Sequence, residues 1–216
     1  MDVALSNNFA FGGANASLVL GRGGLKRTPA AAETDRVVIT GVSTLTSAGT
    51  AYCWGAGTGG QLGDGTATQR LSPFPVAGGL TFQSIAIGQV HACGIATNGS
   101  LYCWGQNISG QLGDGTTIAH MAPAIVPDGR TYSSVTVSPN ALRANTCAIA
   151  TGGTAYCWGN NMAGQLGDGS FVAHSSPAPV AGSLRFRSIN AGPGQRSHTC
   201  GVTISGAAYC WGWNAS

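Results

Sequence analysis

The stretch from Pro73 to Thr116 reads PFPVAGGLTFQSIAIGQVHACGIATNGSLYCWGQNISGQLGDGT, and it decides the fold because the chain repeats it. A second copy starts at Pro123, where Val126, Tyr132 and Val135 match Val76, Phe82 and Ile85 at an offset of 50. A third starts at Pro177, with Val180, Phe186 and Ile189 at an offset of 104. The triplet Cys-Trp-Gly closes each copy, starting at Cys53, Cys103, Cys157 and Cys210, at intervals of 50, 54 and 53 residues. A fixed period of that size means one supersecondary unit copied several times. The chain divides into residues 1–35 and a repeat region, 36–216, made of 36–66 (partial), 73–116, 123–170 and 177–216.

Each copy splits into short apolar stretches between turn signals: Pro75–Ala77, Phe82–Ile87, Ala92–Thr97 and Ser100–Trp104 in the quoted one. Asn98-Gly99 is a hairpin signal because both residues tolerate positive φ. Gly152-Gly153 and Ser205-Gly206 hold the same place in later copies. Four antiparallel strands in each unit of about 50 residues predict an all-β chain, a partial β-propeller of about three to four four-stranded blades. Helical repeats of similar length need long amphipathic windows and few glycines, and the chain has 35 glycines in 216 residues.

Charged residues make up only 8 %, and the formal charge is +3. Four of the ten basic residues, Arg22, Lys26, Arg27 and Arg36, precede the clear repeats, so no basic stripe for nucleic acid is visible. No apolar run reaches membrane-spanning length, and Met1-Asp2 followed by Ser6-Asn7-Asn8 is not built like a signal peptide. Neither nucleic acid nor membrane insertion is expected.

After each of the first three Cys-Trp-Gly triplets comes a near-identical hexapeptide: Gln61–Thr66, Gln111–Thr116 and Gln165–Ser170. Its aspartate lacks the alternating oxygen ligands and closing Glu of a calcium loop. Its leucine is expected to pack between blades, and its Asp-Gly to make a turn in which Asp bonds backbone amides. Trp54, Trp104, Trp158 and Trp211 are read as packing between blades rather than as sugar platforms. His91, Asn145 and His198 form one column, expected to bond a neighbouring loop's backbone. No nucleophile or carboxylate stands in register with them.

The quoted loop, the His-x-Cys at His91-Ala92-Cys93 and His198-Thr199-Cys200, and the Tyr-Cys-Trp-Gly ending resemble the regulator of chromosome condensation repeat. The likeness is greatest to its bacterial, cysteine-containing form and runs from about residue 40 to the end. That family implies a seven-bladed propeller, so the chain is expected to be a fragment, with missing blades or self-association completing it. Residues 3–20 resemble the C-terminal segment of a β-ketoacyl synthase, and Arg36–Gly41 its opening strand. That resemblance puts Phe9 and Phe11 near an acyl pocket. The nucleophilic cysteine and two histidines of that family are absent, so no condensing activity and no cofactor are expected. Pro29–Asp35 reads as a linker.

Cys93 with Cys103, Cys147 with Cys157, and Cys200 with Cys210 are always ten apart, flanking the hairpin turn. Facing positions on adjacent strands bring Cβ atoms within disulfide reach. Buried thiols and a zinc site are the alternatives, though a spacing of ten suits zinc poorly. In the first copy Ser43 stands opposite Cys53, which is expected to be a free thiol. Oxidised pairs imply an extracytoplasmic protein, and the compartment is otherwise open.

Specificity on a rigid scaffold sits in loops that vary. Gln89 and Val90 expand to Pro139–Ala144, with Asn140 and Arg143, and then to Pro193–Ser197, with Gln195 and Arg196. After the Gly-Asp-Gly turn, Arg70, His120 and His174 occupy matching positions. These two loop sets are the candidate binding residues. The expected function is a non-catalytic module presenting blade loops to a protein partner. The resemblance supplies the alternative, guanine-nucleotide exchange on a small GTPase. A precedent for the interaction reading is a bacterial seven-bladed inhibitor of β-lactamases.

Overall fold

The computed structural model describes residues 9–11, 14–16, 42–192 and 197–214. Phe9–Phe11 (β1) and Ala14–Ala16 (β2) pair antiparallel. The rest of the synthase-like segment, residues 36–41 and the linker lie outside the described residues. The repeat region forms four antiparallel sheets, and the described residues contain no helix. The first blade holds Val42–Leu45 (β3), Ala51–Gly55 (β4) and Arg70–Pro75 (β5). The second holds Phe82–Ile87 (β6), His91–Ala96 (β7), Leu101–Gly105 (β8) and His120–Ile125 (β9). The third holds Tyr132–Val137 (β10), Asn145–Ala150 (β11), Ala155–Gly159 (β12) and His174–Pro179 (β13). The fourth holds Phe186–Ala191 (β14), His198–Thr203 (β15) and Ala208–Gly212 (β16).

This frame is shifted from the one the apolar stretches suggest. Pro75 ends β5, so the first stretch of the quoted copy belongs to the preceding blade. The true fourth strand of the second blade is β9, beyond the Gly-Asp-Gly loop. Fourth strands hide from pattern reading because they carry Pro73 and Pro75, Pro123, or Pro177 and Pro179. Proline lacks the N–H that a ladder needs, and it is tolerated here because these strands are sheet edges. The Asn98-Gly99 turn also differs in detail. Gly99 alone has positive φ (85°) and its N–H bonds Ala96 O, a type I turn closed by a left-handed glycine.

The core lies between blades. β6, β10 and β14 meet from sheet to sheet, which sets the first strands on the inside of the arc. Three apolar layers fill the joints. Leu62, Phe82 and Trp104 join the first blade to the second; Ile95, Leu112, Tyr132 and Trp158 join the second to the third. Ile149, Leu166, Phe186 and Trp211 join the third to the fourth.

Alternation along the third strand explains the triplet. Side chains at successive positions point to opposite faces of a strand. Trp104 therefore packs back on the first blade while its neighbour Cys103 faces the third, and Trp158 and Cys157 repeat this one blade on. In the second, third and fourth blades the triplet tryptophan Nε1–H donates to a carbonyl of the previous blade: Trp104 to Gln61, Trp158 to Gln111 and Trp211 to Gln165, all at 3.0 Å. Packing between blades, not ligand stacking, is what these tryptophans do.

The cysteine pairs are cross-linked. Cys93–Cys103, Cys147–Cys157 and Cys200–Cys210 are disulfides between directly opposed residues with Cα atoms 4.1 Å apart. That separation belongs to the narrow, non-hydrogen-bonded kind of cross-strand pair. Cys53 is free and buried opposite Ser43. Burial, and then the nearby Asp64 charge, pushes its thiol up to about 12.

Candidate functional site

Because consecutive strands run antiparallel, the connections between first and second strands leave a blade on the same face as those between third and fourth. The two candidate loop sets therefore share one face, with Gln89, Asn140 and Arg143 nearer the inside of the arc. Arg70, His120 and His174 open the outer strands β5, β9 and β13. Hairpin turns and blade-to-blade connections occupy the opposite face, including Asp128, which binds Arg130 at 3.0 Å and Tyr132.

The outer loops are held by a partly buried lock. Asp114 Oδ1 accepts from the Thr116 amide (2.9 Å) and from Asn107 Nδ2 (3.2 Å), and Oδ2 accepts from His120 Nε2 (2.7 Å). Asp168 repeats this with Ser170, Asn161 and His174. Burial works against ionisation of both carboxylates, but these hydrogen bonds outweigh it and hold them below the usual carboxylate range. The expected Asp-to-amide turn is present, but the lock is larger than the turn.

Asn107 and Asn161 are the residues sequence reasoning missed. Each is fully buried, and each Nδ2 also bonds the backbone carbonyls of its loop: Thr116 and Ile118, or Ser170 and Val172. The signal was available, since both asparagines stand seven residues before the loop aspartate. In the first blade that place is Gly57, where a Cβ would come within 2.2 Å of Thr68 O. There Arg70 binds Asp64 at 2.6 Å and lies 4.0 Å over Phe74. The chain thus uses Asn with His in the second and third blades and Gly with Arg in the first.

Other candidates divide. Gln89 is exposed, whereas Val90 is buried and its carbonyl accepts from the Gln106 amide at 2.8 Å. Asn140 caps its own loop, accepting from the Leu142 and Arg143 amides at 2.8 and 3.1 Å. Arg143 is half-buried, and Gln195 and Arg196 lie outside the described residues. What composition did not show is an apolar display on this face. Ile108, Ile118, Leu142, Met162, Phe171 and Val172 stand 63 to 75 % exposed at the loop tips of the second and third blades.

In the His/Asn/His column, His91 and Asn145 are structural, by a route other than the one expected. His91 is fully buried, and its Nε2 lies 3.0 Å from the hydroxyl of Thr146 on the next blade, not against backbone. That hydroxyl donates onward to Gln111 O at 2.7 Å, so it must accept from His91, which fixes the Nε2–H tautomer. Nδ1 is left without a partner, and burial drives the imidazole pKa down to about 3. Asn145 accepts from Ser197 at 3.4 Å, and His198 is exposed.

The comparisons with known proteins agree with this architecture. A regulator of chromosome condensation (RCC1) repeat profile matches residues 48–95, 98–138 and 152–201. A second profile of the same description matches 82–111 and 187–216. The ultraviolet-B receptor UVR8 of Arabidopsis thaliana is 32 % identical over 165 residues, 76 % of this chain and 37 % of its own. Human WBSCR16 superposes with a TM-score of 0.69 at 21 % identity, over 80 % of this chain and 45 % of that one. Yeast RCC1 (Prp20), solved bound to Kap60, gives 0.64 at 23 % identity, over 80 % and 41 %. This chain spans less than half the length of each of these relatives.

Proposed function

The chain belongs to the regulator of chromosome condensation repeat family, and from that premise we propose that it is a non-catalytic protein-interaction module. Its loop face, from Arg70 through His120 to His174 on the outside and Gln89, Asn140 and Arg143 further in, meets the partner. The observation that carries this reading is the display of six apolar side chains, 63 to 75 % exposed, on the face where both loop sets emerge. Several large apolar side chains at the loop tips of one face are the kind of surface that an interaction covers. Rigid blades beneath hold the loops in fixed relation, so several weak contacts act together.

The test compares proteins captured from source-cell extract by the wild-type chain, by Ile118→Ser with Phe171→Ser, and by Arg185→Ala on the opposite face. A partner retained by the wild type and Arg185→Ala but lost by the double variant is the expected result. Retention by all three would remove the loop face from the function. Exchange on a small GTPase is less well supported, because Asp64, Asp114 and Asp168 are each committed within their own loops. Accelerated nucleotide release from a small GTPase would reverse that preference.

A further inference from the structure

We propose that the loop face of the second and third blades docks a partner segment carrying acidic and large apolar side chains, an assignment resting on the interaction-module reading above. Two observations converge on it. The first is rigidity beneath exposure. Ile118 and Val172 are largely solvent-exposed, yet their backbone carbonyls are each bonded at 3.0 Å by a buried asparagine, Asn107 or Asn161. The same asparagines also accept from Leu112 N and Leu166 N, at 2.9 and 3.0 Å. An exposed apolar side chain on a backbone locked this firmly loses little entropy when a partner covers it. The Phe171 ring lies against Gly164, close enough that a Cβ there would touch it at 3.5 Å. In the first blade the corresponding residues are Thr58, Gly57 and Thr68, so neither the apolar tip nor the asparagine is present.

The second observation is how charge is layered. Side chains of Asp114 and Asp168 are only 10 and 11 % exposed, while the histidines bound to them are 36 % exposed. In the first blade Asp64 is 1 % exposed under an Arg70 that is 26 % exposed. Arg143 adds a further cation from the inner loop set. A partner approaching this face meets guanidinium and imidazole groups, with the carboxylates underneath and already saturated by hydrogen bonds. Carboxylates satisfy such guanidinium groups, which form their strongest hydrogen bonds with an anion. Apolar partner residues would cover Ile118, Val172 and Phe171, and acidic ones would fall on Arg143.

A random peptide library displayed on phage and panned on the full chain tests this directly. Selected sequences are expected to combine Asp or Glu with large apolar residues. A synthetic peptide of the selected sequence should bind about tenfold more weakly to Ile118→Ser or Val172→Ser. Its affinity should also fall as salt rises, while the melting temperature of each variant stays that of the wild type. Selection of basic or uncharged peptides that still depend on Ile118 and Val172 would overturn the acidic partner and leave the interaction module standing. Failure to select any peptide dependent on these residues would overturn both. Sedimentation with phosphatidylcholine–phosphatidylserine vesicles that is lost in Ile118→Ser would assign the face to lipid and overturn the proposal.

Discussion

At the scale of single residues, two glycines separated by one residue, both with positive φ, play different parts. Gly113 and Gly115 have φ of 75° and 84°. A Cβ on Gly113 would lie 2.6 Å from Trp158 Nε1, the donor that ties the third blade to the second, whereas one on Gly115 has only Ser176 Oγ, at 3.7 Å. Gly115→Ala should therefore lose only the left-handed strain, about 1–2 kcal/mol, and Gly113→Ala distinctly more, because the joint must also move. Equal losses in urea titrations would contradict the stapling role of Trp158. His91 supplies a second residue-scale prediction. Its imidazole titrates near 3 when folded and near 6.5 when free, so the unfolded chain binds the extra proton between those values. The His91 contribution is complete above pH ~6.5 and declines toward pH ~3, with a slope of at most about 1.4 kcal/mol per pH unit. His91→Asn, which copies Asn145, should flatten the stability profile between pH ~6.5 and ~4.5, above the range where the paired aspartates titrate. An unchanged profile would show that His91 does not govern this window.

At the scale of strands and hairpins, what was legible followed from how many residues share one pattern. The second and third strands could be read because Asn98-Gly99 and its counterparts sit between them and cysteines ten apart bracket the turn. The fourth strands could not, since their prolines mimic loop composition and only the sheet edge makes them acceptable. Asn107 and Asn161 share one spacing to the loop aspartate, but a spacing found in only two blades does not say what the asparagines do; their hydrogen bonds do. The first hairpin offers a test of how fully the cysteine register is understood. Ser43 faces Cys53 in the same register that Cys93 holds with Cys103, and both residues are buried. Ser43→Cys should close a fourth disulfide spontaneously in air. By the loop-closure relation a ring of this length adds about 3 kcal/mol, less any strain. Thiol counting under denaturing conditions checks it: one free thiol in the wild type and none in the variant, whereas two thiols would mean that the hairpin does not hold that geometry.

At the scale of the whole arc, stability resides in the joints, because no sheet buries an apolar layer except against its neighbour. Such a molecule behaves as a row of units coupled to nearest neighbours. The repeats announced the row, but that both variable loop sets emerge on one face follows only from antiparallel order within each sheet. The same reasoning predicts that position along the row, not residue type, sets the cost of losing a repeated tryptophan. Trp104 and Trp158 are fully buried in joints and bonded to Gln61 and Gln111, whereas Trp54 is half-buried with no preceding blade among the described residues. Truncating a buried tryptophan to alanine costs about 3–5 kcal/mol. Trp104→Ala and Trp158→Ala should reach that range, and Trp54→Ala should fall well short of it. Hydrogen exchange would locate the damage: protection lost in β6 and β7 together with β3 and β4 for Trp104→Ala, and in β10 and β11 together with β7 and β8 for Trp158→Ala. Uniform loss across all four blades from either change would mean that the arc unfolds as one cooperative block, and the joints would then not be separable units.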